Sequence, residues 1–500
     1  MTNHPNKKFR EAPPRPAAMI EALRGLGYST AGALADIIDN SISAKATIID
    51  IGFHWSNKQS YISVLDNGLG MTEVELDLAM RLGEKNPLDV REKDDLGRFG
   101  IGLKTASFSQ CRRLTVASKK INQISCLRWD LDILTEAKNN SWLLLEGPEE
   151  GSQDLILPLD NLGTGTLVLW ELLDRIVTPS FNEQGFLDLI DQVESHLGIV
   201  FSRFLEGNKP RIALNINGVP ITPWDPFLIG RFGTWSSPLV KIPTKSGLVK
   251  VQCHVLPHKD KLDLQIQEIT GGPQGWTAQQ GFYVYRNERL LVAGGWLGLG
   301  RMKPWTKEES FRLARIMIDI PNSADADWKI DIRKSTARPP SSIKEQLTRL
   351  AEDTRERARR VFAHRGQHMI GALNAPVVQA WKAEHLKGGV RYRVDLNHPA
   401  IQAVIDDAGI LLPQVKAMLR IIEETVPVQR IWLDTAESHE TPLTGFNGAP
   451  PAEVTSVLSV MYKNMIKRKG FSSIKAKESL LRTEPFNNYP DLVASLPDEI

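Results

Sequence analysis

Four short segments carry residues whose types and spacing suit oxygen and phosphate chemistry. Asp36 and Asn40 stand four apart in ALADIIDNSIS, so on a helix their side chains lie one turn above the other on a common surface. A carboxylate beside an amide oxygen suits a hard divalent cation and a water molecule that needs a nearby base, although a solvated polar patch would look the same. Asp66 opens DNGLGM, 66 to 71. Its carboxylate can accept from an exocyclic amine while Gly68 and Gly70 let a flat ring approach the backbone; a plain Asp-Asn-Gly turn is the alternative. In GRFGIGLK, 97 to 104, the glycines at 97, 100 and 102 leave backbone N–H groups free to surround phosphate oxygens at a helix N-terminus, and Lys104 adds a point charge. GTGT at 163 to 166 completes the set.

These residues need helices and strands to position them. From Pro16 an apolar-periodic segment (Met19, Ile20, Leu23) reads as a short helix ending near Gly25 and Gly27. Ser29 or Thr30 caps a longer helix to about Ser43, with Leu34, Ile37, Ile38 and Ser41 as its buried face. TIIDIGF at 47 to 53 and YISVL at 61 to 65 are strands, and Thr72 with Glu75 forms a capping box with Met71 and Leu76 placed for a staple. The glycine-rich run opens a helix, and strand-like runs recur at 113 to 118, 124 to 131, 142 to 146 and 166 to 172. This alternation predicts an α/β sandwich ending near Arg175. After Pro179 come a helix, the strand RIALNI before an Asn-Gly turn, strands at 248 to 256 and 281 to 286, and FRLARIMIDI, which fits helix or strand. Pro339 and Pro340 then precede a long charged helix, and 370 to 500 mixes short helices with loops.

At about 150 residues per domain, 500 residues predict three domains. With 42% hydrophobic and 24% charged residues the chain reads as globular. It has no apolar run of about 18 residues and no apolar segment behind its polar start, which predicts neither a membrane span nor a secretory signal. Three cysteines without CxxC spacing predict a reducing, cytoplasmic compartment and no thiolate zinc site. Sixty-one basic against 59 acidic residues leave a net charge of +2, too little to steer the whole chain onto nucleic acid. Any such contact is local. The arginines between 338 and 365 are interleaved with acids and read first as a solvated face, whereas KNMIKRKGFSSIKAK at 463 to 477 is less compensated and suits a DNA backbone.

In this order and context the segments resemble the GHKL (Bergerat-fold) ATPase superfamily, and ALADIIDNSISAKATIIDI, DNGLGM and LGRFGIGLKTAS look most like its MORC and MutL branch with bacterial MORC-like relatives. The resemblance implies an α/β (α+β) fold: a GHKL ATP-binding sandwich at 16–178, a ribosomal-protein-S5-like transducer at 179–337, and a mixed, partly helical C-terminal region at 338–500. It implies ATP and Mg2+ as cofactors, with Asn40 on the metal. Asp66 would read the adenine amine, supported by Thr166, with Gly68, Gly70 and Met71 shaping the pocket. Gly97, Arg98, Phe99, Gly100, Ile101, Gly102, Leu103 and Lys104 would form the phosphate lid. Asp36 stands where the family has a glutamate base, one methylene longer, which implies slow turnover or a shifted water. Lys334 in DWKIDIRKS would reach back to the γ-phosphate, with Arg333 as its alternative. The implied activity is an ATPase acting as an ATP-gated homodimerisation clamp in DNA-related defence or repair, with DNA and a nuclease or defence protein as expected partners. A chaperone related to the 90-kilodalton heat-shock protein, a histidine kinase and a nucleotide sensor with little hydrolysis are the rivals.

Overall fold

A computed structural model describes residues 14–84, 102–136, 141–207, 209–230, 233–272, 274–325, 327–331, 334, 336–363, 378–386, 389–431 and 450–498. They form two compact units, 1–363 and 364–500.

In the first unit, helices α1 (Pro16–Arg24) and α2 (Thr30–Ser43) precede β1 (Ile48–His54) and β2 (Tyr61–Asp66). Ser29 caps α2 by accepting from the Gly32 amide, and the predicted face is buried: Leu34, Ile37, Ile38 and Ser41 all point inward. Helix α3 (Glu73–Met80) starts at the expected capping box, where Lys120 and Thr72 hold the Glu75 carboxyl down to about 2. Then follow α4 (Gly102–Phe108), β3 (Arg113–Lys120), β4 (Gln123–Asp130), α5 (Leu131–Glu136), β5 (Leu145–Glu146) and β6 (Gly165–Glu171). After these come α6 (Glu183–Val200), α7 (Ser202–Leu205), β7 (Ala213–Ile216) and β8 (Val219–Pro220).

The sheet order is β5-β4-β3-β6-β2-β1-β7-β8. RIALNI, read from sequence as part of the second domain, is therefore a strand of the first sheet: β7 runs parallel to β1, with Ile49 opposite Leu214. Two side-chain amides fasten it, Asn215 donating to Asp50 at 2.7 Å and Asn217 accepting from the Phe53 amide at 2.8 Å. Helices α2 and α6 cover one face of this sheet, burying Leu34, Ile38, Val193 and Leu197 against Ile49, Ile51, Ile62 and Val64.

A second sheet joins β9 (Trp235–Ser236), β10 (Val240–Thr244), β11 (Gly247–Val255), β12 (Gly281–Arg286), β13 (Arg289–Ala293) and β14 (Ala314–Ile320), with α8 (Leu264–Gly271) between β11 and β12. The ambiguous FRLARIMIDI resolves as β14 because its period is two: Ala314, Ile316, Ile318 and Ile320 face one core while Arg315, Met317 and Asp319 face the other way. The charged helix α9 (Ser341–Ala363) packs on this sheet through Ile343, Leu347, Ala351 and Ala358. Arg355 enters an aromatic enclosure, its guanidinium carbon 3.7 Å from the Phe311 ring centre and 4.6 and 4.7 Å from those of Trp296 and Trp305.

The second unit has the hairpin β15 (Trp381–Leu386) and β16 (Gly389–Val394) and helices α10 (Pro399–Asp407), α11 (Leu412–Glu424), α12 (Ala452–Lys467), α13 (Ser473–Leu480) and α14 (Pro490–Ala494). Its core gathers Leu458, Met461, Tyr462, Leu480 and Phe486. No helix among the described residues is long and apolar enough to cross a membrane.

Candidate functional site

Period-two alternation along β2 puts Asp66 on the same face as Ile62 and Val64, beneath α2. Ser41 Oγ donates to Asp66 Oδ2 at 2.7 Å and the Gly68 amide to Oδ1 at 2.9 Å. Burial pushes the Asp66 carboxyl above its ordinary range, and the donors Ser41, Gly68 and Thr166 only partly offset that. Thr166 lies directly opposite Asp66 on β6, and Ser118 lies opposite Thr166 on β3. The Ser118 hydroxyl knits this row together, meeting Thr166 Oγ1 at 2.9 Å, the Gly165 carbonyl at 3.0 Å and the Met71 amide at 2.8 Å. Two glycines are required by close approach. A Cβ on Gly70, whose φ is +64°, would sit 2.1 Å from the Lys119 carbonyl oxygen, and one on Gly165 would sit 2.2 Å from that of Asp66. The turn after β2 thus packs closely on β3 and on the start of β6, beside the buried Asp66 carboxylate.

The middle of α2 carries the charge. Asp36 and Asp39 are three apart, so both face the second sheet rather than the solvent. Lys334 Nζ donates to Asp36 Oδ1 at 3.0 Å and to Asp39 Oδ2 at 2.6 Å. Arg289 Nε reaches both Asp39 oxygens, at 3.0 and 2.8 Å, and its Nη2 lies 3.5 Å from Asp36 Oδ1. The four side chains are between 1% and 7% exposed as residues, so two acids and two cations neutralise each other out of water. Burial alone would raise the Asp39 carboxyl; Arg289 and Lys334 outweigh it and hold Asp39 below the usual carboxylate range. Tyr28 Oη donates to the remaining Asp36 oxygen at 2.9 Å. Burial and the Asp36 charge drive the Tyr28 hydroxyl far upward, so it stays a donor. On α6, His196 is pushed down to about 4 by burial and by the Arg289 charge.

Local structure explains both cations. Asn287 and Glu288 have φ of +46° and +68°, a two-residue hairpin turn whose exit places Arg289. Lys334 sits at φ +52° in a turn closed by its amide on the Asp331 carbonyl, at 3.0 Å. Of the residues singled out from sequence, the structure brings Lys334 onto Asp36 and sets Thr166 opposite Asp66; Arg289, Tyr28, Ser41 and Ser118, which contact them, carried no site expectation. For Arg289 the only local signal was an arginine leaving a hairpin turn.

Of the expected lid, Gly97, Arg98, Phe99, Gly100 and Ile101 lie outside the described residues, as does Arg333. Gly102 opens α4 beside Asp36: a Cβ there would lie 3.9 Å from Asp36 Oδ2. Leu103 packs at the edge of the core, and the Lys104 ammonium, expected at the phosphates, donates to the Ala79 carbonyl at 2.8 Å. Asn40 is exposed one turn beyond Asp36. A single outward amide oxygen suits Mg2+, which keeps several waters and takes phosphate oxygens rather than a protein cage. No cluster of three or more His, Cys, Asp or Glu metal ligands occurs among the described residues.

Residues 28–166 match the family described as histidine kinase-, DNA gyrase B- and HSP90-like ATPase. The chain is similar to ATPase MORC2B of Mus musculus, 31% identical over 141 residues, which is 27% of this chain and 12% of that protein. It is also similar to ATPase morc-1 of Caenorhabditis elegans, 32% identical over 95 residues, 19% of this chain and 11% of that one. The matched stretches thus span only about an eighth to a ninth of these relatives.

Proposed function

From the match of residues 28–166 to a GHKL-type ATPase family and their similarity to MORC ATPases, we propose that the chain is a Mg2+-dependent ATP hydrolase that works as an ATP-gated clamp. The observation that carries this reading is the 3.0 Å contact between Lys334, from beyond the second sheet, and Asp36 on the ATPase helix. A cation placed there from another layer can tell a triphosphate from a diphosphate, because only the former carries a γ-phosphate charge for it to pair with besides the carboxylates.

In this reading Asp66 accepts the adenine amine, Gly68, Gly70 and Met71 line the base slot, and Thr166 holds Asp66 through the adjoining strand. Asn40 would hold Mg2+, which when bound neutralises phosphate charge and orients the phosphate oxygens. Asp36 is the general base. Its Oδ2 accepts from Tyr28 and keeps a lone pair on the side where α4 begins, so it can take a proton from a water there. Tyr28 and Lys334 fix the plane of a carboxylate one methylene shorter than the family's glutamate. The segment 97–103 would complete the phosphate site, and Lys104 would join it only by leaving the Ala79 carbonyl.

Magnitude limits the role of any one contact. Shifting a conformation from about 1:99 to 99:1 takes about 5.5 kcal/mol, whereas a hydrogen bond to a charged group contributes about 1.5–3 kcal/mol. Lys334 therefore triggers closure together with other contacts rather than alone. Nucleotide-dependent homodimerisation, with the residues beyond 338 engaging a second copy, DNA or a nuclease or defence partner in the cytoplasm, is the assembly this reading favours. The basic stretch 463 to 477 would meet the DNA backbone. Sedimentation with a nonhydrolysable ATP analogue should give a dimer and with ADP a monomer; identical behaviour with both overturns the clamp. ATPase rates with and without DNA test the partner class.

One observation favours a second reading, a nucleotide sensor with little turnover. Asp36 is already claimed by Lys334, Tyr28 and Arg289, which lowers its freedom to act as a base.

A further inference from the structure

We propose that Arg289 is a positioning residue of this site: by gripping Asp39 it sets Lys334 between the two acids of α2 and ties the β12–β13 hairpin to the hydrolytic end. The inference rests on the ATPase reading above and assigns a role to a residue that no motif marks.

The argument is one of charge and geometry. Asp36 and Asp39 stand on one helix face, and a single buried lysine between two carboxylates would be drawn onto the nearer of them. Lys334 is in fact closer to Asp39, 2.6 Å against 3.0 Å. Arg289, 250 residues away in sequence, supplies a second positive charge on the same Asp39 carboxylate and closes a ring in which each cation lies within ion-pair distance of both acids. Its Nη1 is spent on the Leu290 carbonyl at 2.9 Å, which fixes the guanidinium plane to the hairpin backbone. A planar guanidinium does this by aiming Nε at Asp39, Nη1 at the Leu290 carbonyl and Nη2 toward Asp36 at once, and a single ammonium does not. With Asp39 satisfied by Arg289, Lys334 is left shared, near enough to Asp36 to steady it and able to turn toward an anion. Movement of the hairpin then moves Arg289, and with it the partner available to Lys334.

The variant Arg289→Lys keeps the charge and removes the fork. A change of about 1 Å at a catalytic group can lower turnover on the order of 100-fold, so kcat should fall at least tenfold while KM stays within about threefold, because the adenine slot around Asp66 is untouched. The ratio of ATP to ADP affinity, read by displacement of a fluorescent nucleotide, should fall as well, since Lys334 is no longer poised. Arg289→Met carries the risk of leaving a buried net charge, so it is paired with Asp39→Asn, which restores neutrality: that double variant should melt near the wild type yet keep the low kcat and the weakened ATP preference. Arg289→Lys with wild-type kcat and affinity ratio would overturn the proposal, as would recovery of both in the double variant. A wild-type protein that binds neither nucleotide refutes the ATPase reading itself, which is a separate result.

Discussion

Ser41 Oγ and Asp66 Oδ2 are joined by a 2.7 Å hydrogen bond that links the last turn of α2 to the end of β2. The helix bearing Asp36 and Asp39 is thereby tied to the buried Asp66 carboxylate. At 1.5 Å rise per residue, Ser41 lies about 7.5 Å along the helix from Asp36. Ser41→Ala removes one of the donors that offset burial of Asp66, so its carboxyl should rise further. Nucleotide affinity is expected to weaken about tenfold, the worth of one hydrogen bond to a charged group. An unchanged dissociation constant by calorimetry would show that the bond is idle.

Asp66 also sets a pH dependence. Its folded-state pKa is raised, so its contribution to stability is present below the unfolded value, about 3.9, and is lost as pH rises through the folded value. At neutral pH the buried charge therefore opposes folding. Asp66→Asn keeps the shape and removes that charge; it should be more stable than wild type at pH 7, with the gain disappearing below about pH 4. The same variant should lose nucleotide binding. Denaturant titrations at the two pH values decide it, and a variant less stable at pH 7 contradicts the assignment.

Asp36 lends itself to single-turnover measurement. Asp36→Asn should abolish hydrolysis, a loss of at least 100-fold for a general base. Asp36→Glu restores the missing methylene and should hydrolyse at least as fast as wild type unless the added length breaks the Tyr28 and Lys334 contacts, which a lowered melting temperature would reveal. Equal rates in all three proteins exclude Asp36 as the base.

Gly70 and Gly83 offer a matched pair, since both have positive φ, +64° and +77°. Gly83→Ala meets nothing within 4 Å and should cost only the left-handed backbone penalty, about 1–2 kcal/mol. Gly70→Ala adds a collision with the Lys119 carbonyl and should be clearly more destabilising, with loss of nucleotide binding. Similar melting temperatures for the two variants would mean the slot yields easily.

What the sequence revealed follows the range of each interaction. The buried face of α2, the capping box before α3 and the hairpin turn at Asn217-Gly218 are governed by residues within one or two turns, and all were legible. The candidate site divides the same way. Asp36, Asn40 and Asp66 announce themselves by spacing, whereas Arg289 and Tyr28 acquire meaning only from what they touch. The placement of β7 depends on parallel pairing with β1 across more than 150 positions, with no turn to mark it. FRLARIMIDI was ambiguous for a further reason: apolar residues at both periods left helix and strand equally open until β11 and β12 flanked it.

The pairing of β7 with β1 has a practical consequence for anyone cutting this chain. A fragment trimmed just after β6, where the ATPase motifs end, would strip β1 of its β7 neighbour and bare the backbone groups that β7 pairs, the Thr47 and Ile51 carbonyls among them, along an apolar rim. Such a rim invites other chains to add on, so the truncated piece should clump in solution unless the cut falls beyond Pro220.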